Sequence, residues 1–172
     1  MQRVALLTAD WRDPGEVLQG FAEEPFALAL LSGGGGIRGR WSYLARRPIA
    51  TLTLNPGDGG DAFARMAALL EPDAGADPDG PPFQGGVAGL MGYELAARLE
   101  PVGHGGHPDW PQLACGLYPA VLAFDHQARR VIAVGRGAGA DEARARANRM
   151  LDLLSASPAP SPAPGAGVCA PG

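Results

Sequence analysis

The sequence predicts an α+β fold, with mostly antiparallel strands in one or more sheets and helices that flank them. Two observations predict this class. Short apolar or alternating segments recur between clusters of Gly, Pro, Asn and Asp, and segments with helical spacing of apolar residues follow capping acids. A chain of 172 residues is long enough for one domain with its own core. We therefore expect one domain, residues 1–154, and a tail, residues 155–172.

Strands are predicted where apolar residues run together or alternate between turn residues. In chain order they are residues 3–8, 26–32, 40–45, 48–54, the glycine-rich run before residue 93, 118–124 and 130–134. Residues 26–32 are continuously apolar, which predicts a strand buried on both faces. Alternation in the fourth segment places Ala50, Leu52 and Leu54 on one face of its sheet. Residues 125–129 then join the last two strands as a hairpin.

Helices are predicted from capping residues and from apolar spacing. Asp13 caps the first helix, Pro14 occupies its first position, and Glu16 stands three residues after the cap. Asp61 caps the second helix. The predicted helices are residues 14–23, the segment that follows residue 61, residues 93–99, and the segment from 141 to 154. The last one opens on two acids, which suit the positive end of the helix dipole.

Turns and loops are predicted where Gly, Pro, Asn and Asp cluster, at residues 55–60, 72–81 and 102–111. The tail at 155–172 consists mostly of Pro, Ala, Ser and Gly and has no apolar period. Such a composition cannot build a packed core, so we expect the tail to be disordered or to act as a linker.

The charge balance argues against some classes of function. The formal net charge is −4 and no basic cluster appears along the sequence, which argues against a nucleic-acid partner or an anionic membrane. No segment is long and apolar enough to span a bilayer, and the N-terminus does not resemble a signal peptide. Cys115 and Cys169 are isolated thiols, so no disulfide framework is predicted and a reducing cytoplasm is expected.

The most informative segment is the glycine-rich run at residues 82–96. Its marked residues are Gly85, Gly86, Gly89, Gly92, Tyr93 and Glu94. Glycine weakens a strand because it packs no side chain, unless another backbone must lie very close. We therefore expect Gly86 and Gly89 to lie where a neighbouring backbone leaves no room for a side chain. The alternative is a strand that is rich in glycine by composition only.

This run resembles the Pro-Phe-x-Gly-Gly-x-x-Gly-x-x-Gly-Tyr-Glu segment in the N-terminal region of the aminodeoxychorismate synthase component I family. The related anthranilate synthase component I usually carries Asp after that Tyr, so Glu94 favours the folate branch over the tryptophan branch. The resemblance covers roughly residues 3–153. Further segments follow in the order of the family, at 11–12, 25–33, 40–42, 48–52, 124–126 and 130–131.

The resemblance implies a non-catalytic part of an enzyme that replaces the 4-hydroxyl of chorismate with ammonia, towards 4-aminobenzoate and folate. The family holds its Mg²⁺-binding carboxylates in a C-terminal chorismate-binding domain, which we do not expect among these 172 residues. We therefore expect no catalytic residue, no cofactor and no activity in this chain alone. The implied partners are that chorismate-binding domain, in cis or as a separate chain, and a glutamine amidotransferase subunit.

The resemblance also implies a pocket for an aromatic amino acid, possible residues of which are Leu31, Ser32, Arg40 and Trp41. Ser32 matches the family position that contacts bound tryptophan. Anthranilate synthases carry Leu-Leu-Glu-Ser at their feedback site, whereas this chain reads Ala-Leu-Leu-Ser at 29–32, without the acid. Tryptophan binding therefore stays open. Alternative interpretations are a free-standing aromatic-amino-acid-binding or regulatory module, a fragment of anthranilate synthase component I, and an inactive remnant.

Other candidate sites are weaker. Residues 33–40 combine glycines with arginines, but a strand follows where a phosphate loop needs Gly-Lys-Ser/Thr and a helix, so a hairpin loop is favoured. His104, His107 and Cys115 lack a fourth ligand and a rigid frame, so no metal site is predicted. Glu94 and Glu100 do not share a helix face and form no acid–base pair. The arginines of the last helix, Arg144, Arg146 and Arg149, are expected to solvate its outer face.

Overall fold

The computed structural model describes residues 3–33, 36–70, 75–98 and 110–156. The strands are β1 (Arg3–Asp10), β2 (Leu28–Leu30), β3 (Trp41–Ala45), β4 (Ala50–Leu54), β5 (Gly86–Met91), β6 (Leu113–Tyr118), β7 (Ala120–Asp125) and β8 (Arg130–Gly137). The helices are α1 (Pro14–Gln19), α2 (Ala62–Ala67) and α3 (Ala140–Ala156), with 3₁₀ turns at Ile37–Gly39 and Tyr93–Arg98.

In the described ranges the strands form two antiparallel sheets. The larger has five strands in the order β1-β8-β7-β3-β2, and the smaller has three in the order β4-β6-β5. Every strand pair in both sheets is antiparallel. The predicted α+β class with mostly antiparallel strands and flanking helices is therefore confirmed.

The five-stranded sheet is buried on both faces by different partners. On one face it packs against α1 and α3, in a cluster that includes Val17, Leu122, Phe124 and Ala147. The opposite face carries what we call the inter-sheet core, because Phe83 and Ala88 from the region of the smaller sheet also pack there. Its buried members are Tyr43, Ala45, Tyr118, Val121, Ala123, Ile132 and Val134. Strict alternation along β7 and β8 separates the two clusters, as the two-residue period of a strand requires.

The smaller sheet has its own core. Leu52 and Leu54 of β4 pack with Leu113 and Cys115 of β6 and with Ala62 of α2. The predicted alternation of β4 is confirmed, since Leu52 and Leu54 are buried and Thr51 and Thr53 are exposed. The free thiol of Cys115 is buried in this core, and burial raises its pKa.

The prediction of a fully buried strand at residues 26–32 is wrong. Only Leu28–Leu30 forms a strand, it pairs with β3 alone at the edge of its sheet, and Leu30 and Leu31 are about half exposed. Phe26 has a left-handed backbone (φ 57°), which delays the start of the strand. An edge strand has only one neighbour, so a continuously apolar sequence there leaves apolar surface uncovered.

One strand was missed by sequence reasoning. β6 is the central strand of the smaller sheet, yet residues 113–117 were assigned to no strand and residue 118 to the following one. Its small residues Ala114 and Gly116 hide the apolar alternation, and Pro119 then separates it from β7. Gly116 has to be small, because a Cβ there would lie 2.7 Å from Cβ of Pro48.

The predicted helix caps are confirmed. The Asp13 carboxylate accepts from the amides of Gly15 and Glu16, and the Asp61 carboxylate accepts from those of Phe63 and Ala64. Helix α1 is shorter than predicted, because Gly20 ends it and turns follow. The predicted helix after residue 92 is a 3₁₀ turn.

Several predictions fall on residues that the structure does not describe. These include most of the loop at 102–111, part of the loop at 72–81 and nearly all of the tail at 155–172. In the described residues, no helix combines the length and the apolar character that a membrane crossing requires.

Candidate functional site

The glycine-rich run enters the smaller sheet under tight steric limits. Gly89 faces β6 so closely that a Cβ there would collide with the carbonyl oxygen of Ala114 and lie 2.5 Å from Cα of Cys115. The predicted close approach of backbone is thus confirmed at Gly89. At Gly86 it is wrong, since a Cβ would meet nothing within 4 Å; a positive φ of 123° explains the glycine there.

Gly85 combines both constraints. Its φ is 97°, and a Cβ would lie 2.7 Å from the carbonyl oxygen of Tyr118. Gly92, at the far end of the run, donates its amide to the carbonyl of Gln112 at 2.9 Å. Tyr93 follows with about three quarters of its side chain exposed and begins the 3₁₀ turn, of which Glu94 is the second residue.

A buried glutamine fixes the chain just before this run. Gln84 is 7% exposed, and its Nε2 donates to the carbonyls of Asp77 at 2.7 Å and Pro81 at 3.1 Å. The amide of Asp77 donates back to Gln84 Oε1 at 2.9 Å. These bonds satisfy the side-chain amide and pin the preceding loop. Sequence reasoning missed this residue, because a single Gln carries no periodic signal.

A cleft of about 260 Å³ opens beside Gly85 and Gly86. Its lining is mostly apolar and comprises Ile49, Leu70, Ala76, Pro82, Phe83, Gln84, Gly85, Gly86, Leu117, Tyr118, Pro119 and Arg136. The guanidinium of Arg136 donates to the carbonyls of Gly75 at 2.6 Å and Gln84 at 3.4 Å. Tyr118 donates its hydroxyl to the carbonyl of Phe26 at 2.9 Å, and its pKa is raised, first by burial.

Three of the four predicted pocket residues meet at the end of the β2–β3 pair. Ser32 Oγ donates to the carbonyl of Trp41 at 2.7 Å, and the guanidinium of Arg40 lies over the Trp41 ring, 4.9 Å from its centroid. Leu31 lies beside Ser32 and is 53% exposed. None of the four lines the cleft beside Gly85, so the expected pocket and this cleft are different places.

Arg40 is fixed by a buried acid. Its Nε and Nη2 donate to the two carboxylate oxygens of Asp125, at 3.0 and 2.7 Å. The Asp125 side chain is fully buried and also accepts from the amides of Gln127 and Ala128. The hydrogen bond from Arg40 is the main cause that lowers the pKa of Asp125, and the same bond raises the pKa of Arg40. Asp125 therefore orients the arginine over Trp41.

A row of aromatic rings leads from Trp41 towards the cleft. Trp41 stacks on Tyr43 with a centroid distance of 6.3 Å, and Tyr43 meets Phe83 edge to face at 5.5 Å. The Phe83 amide donates to the Tyr43 hydroxyl at 3.3 Å. Because Phe83 lines the cleft, the row connects the expected pocket with the glycine-rich run.

The inter-sheet core continues onto apolar surface. Leu30 pairs with Tyr43 across β2 and β3 and so shares its face, yet Leu30 is 45% exposed. Leu90 lies two residues after Ala88 on β5, on the same face, and is 44% exposed. We call Leu30 and Leu90 the open edges of the inter-sheet core. The two sheets do not cover this face completely.

Ser42 and His126 resemble a nucleophile with its base. Ser42 Oγ lies 2.8 Å from His126 Nε2 and accepts from the amide of Ser32 at 2.9 Å. The Ser42 side chain is fully buried, so no substrate reaches its hydroxyl. Asp125 is engaged with Arg40 instead of the histidine. The pair joins β3 to the turn after β7, and the bond from Ser32 ties β3 to the residues that follow β2.

A second cleft of about 260 Å³ corrects two expectations about charge. It is lined by Arg46, Arg47, Ile49, Pro119, Ala120, Arg146, Arg149 and Met150. The sequence shows no basic cluster, but folding brings residues 46–47 beside residues 146–149. Arg146 is only 20% exposed and does not simply solvate the outer face of its helix.

Two of the three weighed metal ligands, His104 and His107, lie outside the described residues, and so does Glu100 of the weighed acid–base pair. Within the described ranges, no three His, Cys, Asp or Glu side chains come together as a metal site would require. Residues 34 and 35 of the 33–40 loop are also not described, and Ile37–Gly39 forms a single 3₁₀ turn.

No family model matches the chain. The chain is 36% identical over 112 residues to anthranilate synthase component 1 of Streptomyces coelicolor, a match that covers 64% of this chain and 21% of that protein. It is 32% identical over 148 residues to aminodeoxychorismate synthase component 1 of Salmonella typhimurium, covering 73% of this chain and 32% of that protein. The chain thus spans about a fifth to a third of the length of these curated relatives.

A solved structure shows the same fold. The crystal structure of anthranilate synthase component I from Streptococcus pneumoniae superposes with a TM-score of 0.56 at 21% sequence identity, over 74% of this chain and 32% of that one. Together these matches show that the chain is homologous to part of anthranilate synthase component I and of aminodeoxychorismate synthase component 1.

Proposed function

We propose that this chain is the N-terminal, non-catalytic portion of an aminodeoxychorismate synthase component I. In this proposal it packs against a chorismate-binding domain that carries the Mg²⁺ site, and a glutamine amidotransferase supplies the ammonia. The observation that carries the proposal is the 32% identity over 148 residues to the Salmonella protein of that name, of which this chain spans only a third.

The open edges of the inter-sheet core support a covering domain. Leu30 and Leu90 extend a face whose interior is packed, and both are nearly half exposed. Exposed apolar surface that continues a core is typical of a face that another protein surface covers. The row of Trp41, Tyr43 and Phe83 packs on the same face of the five-stranded sheet as Leu30. An aromatic amino acid that binds at Trp41 would therefore lie beside the covering domain.

The proposed aromatic-amino-acid pocket uses Leu31, Ser32, Arg40 and Trp41. Trp41 offers a ring for stacking and Arg40 offers a cation for the carboxylate of the ligand. Asp125 holds this arginine in place through two hydrogen bonds. The side chains of Arg40 and Trp41 are only partly buried, so a ligand can reach them.

The folate branch is proposed because Glu94 follows Tyr93, where the tryptophan branch usually has Asp. The tryptophan branch is the second candidate, and the higher identity of 36% to the Streptomyces anthranilate synthase component 1 favours it. A free-standing binding module for an aromatic amino acid is the third, since Ser32, Arg40 and Trp41 come together within this chain.

A reconstitution assay tests the proposal. The chain is incubated with chorismate, ammonia and Mg²⁺, alone and together with the remaining portion of the Salmonella relative, expressed separately. We expect no turnover by the chain alone and a higher rate for the mixture than for the added portion alone. Stimulation of the Salmonella portion, but not of the corresponding portion of the Streptomyces anthranilate synthase component 1, supports the folate branch, and the reverse supports the tryptophan branch. Turnover by the chain alone, above a heat-treated control, contradicts the proposal.

A further inference from the structure

The second cleft gathers positive charge on a chain that is negative as a whole. Four arginines line it, Arg46, Arg47, Arg146 and Arg149, whereas the formal net charge of the chain is −4. Two carboxylates are paired with them. Glu24 accepts from Arg46 and, at 3.4 Å, from Arg47, and Glu142 lies 2.7 Å from Arg146. Four guanidinium groups against two carboxylates leave an excess of two positive charges.

The four arginines have different tasks. Arg46 and Arg146 are structural: the first is held by Glu24 beside the ring of Phe21, and the second donates to the carbonyl of Arg136 at 2.7 Å. Arg47 is 77% exposed and has only the long contact to Glu24. Arg149 is also exposed, and within the described part of the chain it makes no hydrogen bond or ion pair. These two cations are available to a ligand.

The backbone at the rim is held in an unusual conformation. Arg47 has a φ of 48°, in the left-handed region that residues other than glycine seldom adopt. Such a conformation persists only where the surrounding structure imposes it. It turns the chain between β3 and β4 so that Arg46 and Arg47 both border the cleft. Burial and then the charge of Arg47 lower the pKa of Arg46, which agrees with like charges lying close together.

The rest of the lining is apolar. The remaining lining residues are Ile49, Pro119, Ala120 and Met150 of α3, the last only 5% exposed. A cleft with apolar walls and cations at its rim suits a molecule with an apolar body and an anionic group. The guanidinium fork binds carboxylate and phosphate oxygens with two parallel hydrogen bonds.

We infer that this second cleft binds a small organic anion, a carboxylate or phosphate on an apolar body, with Arg47 and Arg149 as the groups that bind the anion. The site is separate from the expected aromatic-amino-acid pocket, because none of the residues of that pocket lines it. It is also independent of the proposed function, since it uses only side chains of this chain.

Isothermal titration calorimetry tests the site with four probes: phenyl phosphate, benzoate, inorganic phosphate and phenol. Saturable binding of phenyl phosphate or benzoate, tighter than that of inorganic phosphate and phenol, is expected; the stronger of the two identifies the anionic group. We expect Arg149→Ala and Arg47→Ala each to weaken that binding about tenfold, the loss of roughly one charge-assisted hydrogen bond.

The matched control is Arg144→Ala, which removes the same charge from an exposed position on the same helix outside the cleft. It should leave binding unchanged, and thermal melts should show that all three variants are folded. The inference is overturned if neither organic anion binds saturably, or if Arg144→Ala weakens binding as much as Arg149→Ala. Equal affinity for inorganic phosphate would likewise overturn it, because the apolar walls would then contribute nothing.

Discussion

Gly89 is the residue at which the smaller sheet leaves least room for a side chain. A Cβ there would collide with the backbone of Ala114 and Cys115 on the neighbouring strand. We expect Gly89→Val to lower the free energy of unfolding by about 1–3 kcal/mol, because the backbone of β6 has to move or strain. Thermal or urea unfolding measures the change.

The control for this substitution is Gly59→Val. Gly59 lies in a turn where a Cβ would meet nothing within 4 Å, and its φ is not positive. That variant should unfold close to the unmodified chain. If both variants melt alike, the glycines of the run reflect composition rather than packing.

The charge of the buried Asp125 carboxylate stabilises the fold through its ion pair with Arg40. Its pKa is lowered, mainly by the hydrogen bond from Arg40, so the stability it contributes is present above the ordinary carboxyl pKa of about 4 and is lost as the pH falls through its lower value in the folded chain. We expect Asp125→Asn to cost about 1–3 kcal/mol at pH 7. The difference should shrink as the pH falls below about 4.

Urea unfolding over a series of pH values measures this dependence. Asp152→Asn, at an exposed position on α3, is the matched control and should have little effect at any pH. A constant difference between the unmodified chain and Asp125→Asn across the acid range would show that the Asp125 carboxylate is not held in its charged form by Arg40.

Helix α3 packs closely against strand β8. A Cβ on Gly135 of β8 would collide with the carbonyl of Ala143 and lie 2.5 Å from the amide of Ala147, and both alanines are fully buried. We expect Ala147→Leu to lower the free energy of unfolding by about 1–3 kcal/mol through overpacking, measured by thermal or urea unfolding.

Ala145→Leu serves as the control, because Ala145 lies on the exposed side of the same helix. It should change the stability little, since leucine and alanine both favour a helix. Equal effects of the two substitutions would mean that α3 does not rest on β8 through this face.

Elements with strong local signals could be predicted from the sequence. Asp13 and Asp61 are N-cap residues that mark where their helices begin, and the alternation along β4 correctly predicts which of its faces is buried. The sequence does not reveal β6, because its small residues are required by contacts with residues that are distant in sequence, such as Pro48. The prediction that β2 is buried on both faces is wrong, because an apolar run does not reveal whether a strand lies at the edge of its sheet.

The candidate sites likewise divide into features that the sequence indicates and features that depend on contacts between distant residues. The meeting of Ser32, Arg40 and Trp41 was anticipated only through resemblance to a family, since nothing local joins residue 32 to residue 41. The buried partner Asp125 and the arginine-lined cleft were missed. Both bring together residues that are separated by 85 or more positions along the chain, and single-sequence patterns do not report such contacts.

For the whole molecule, we propose that the chain forms one part of a larger synthase. Its open apolar edges at Leu30 and Leu90, and the exposed Leu31, Met91 and Tyr93, would then be covered by a chorismate-binding domain. Charged residues make up only 19% of the chain, which offers little electrostatic repulsion against association. An uncovered copy should therefore associate with itself.

Sedimentation velocity over the micromolar range, with and without the chorismate-binding portion of the Salmonella relative, tests this claim most directly. We expect self-association of the chain alone and a discrete one-to-one complex when the second portion is added. A chain that stays monomeric throughout that range and ignores the added portion would contradict the claim and would favour a free-standing binding module.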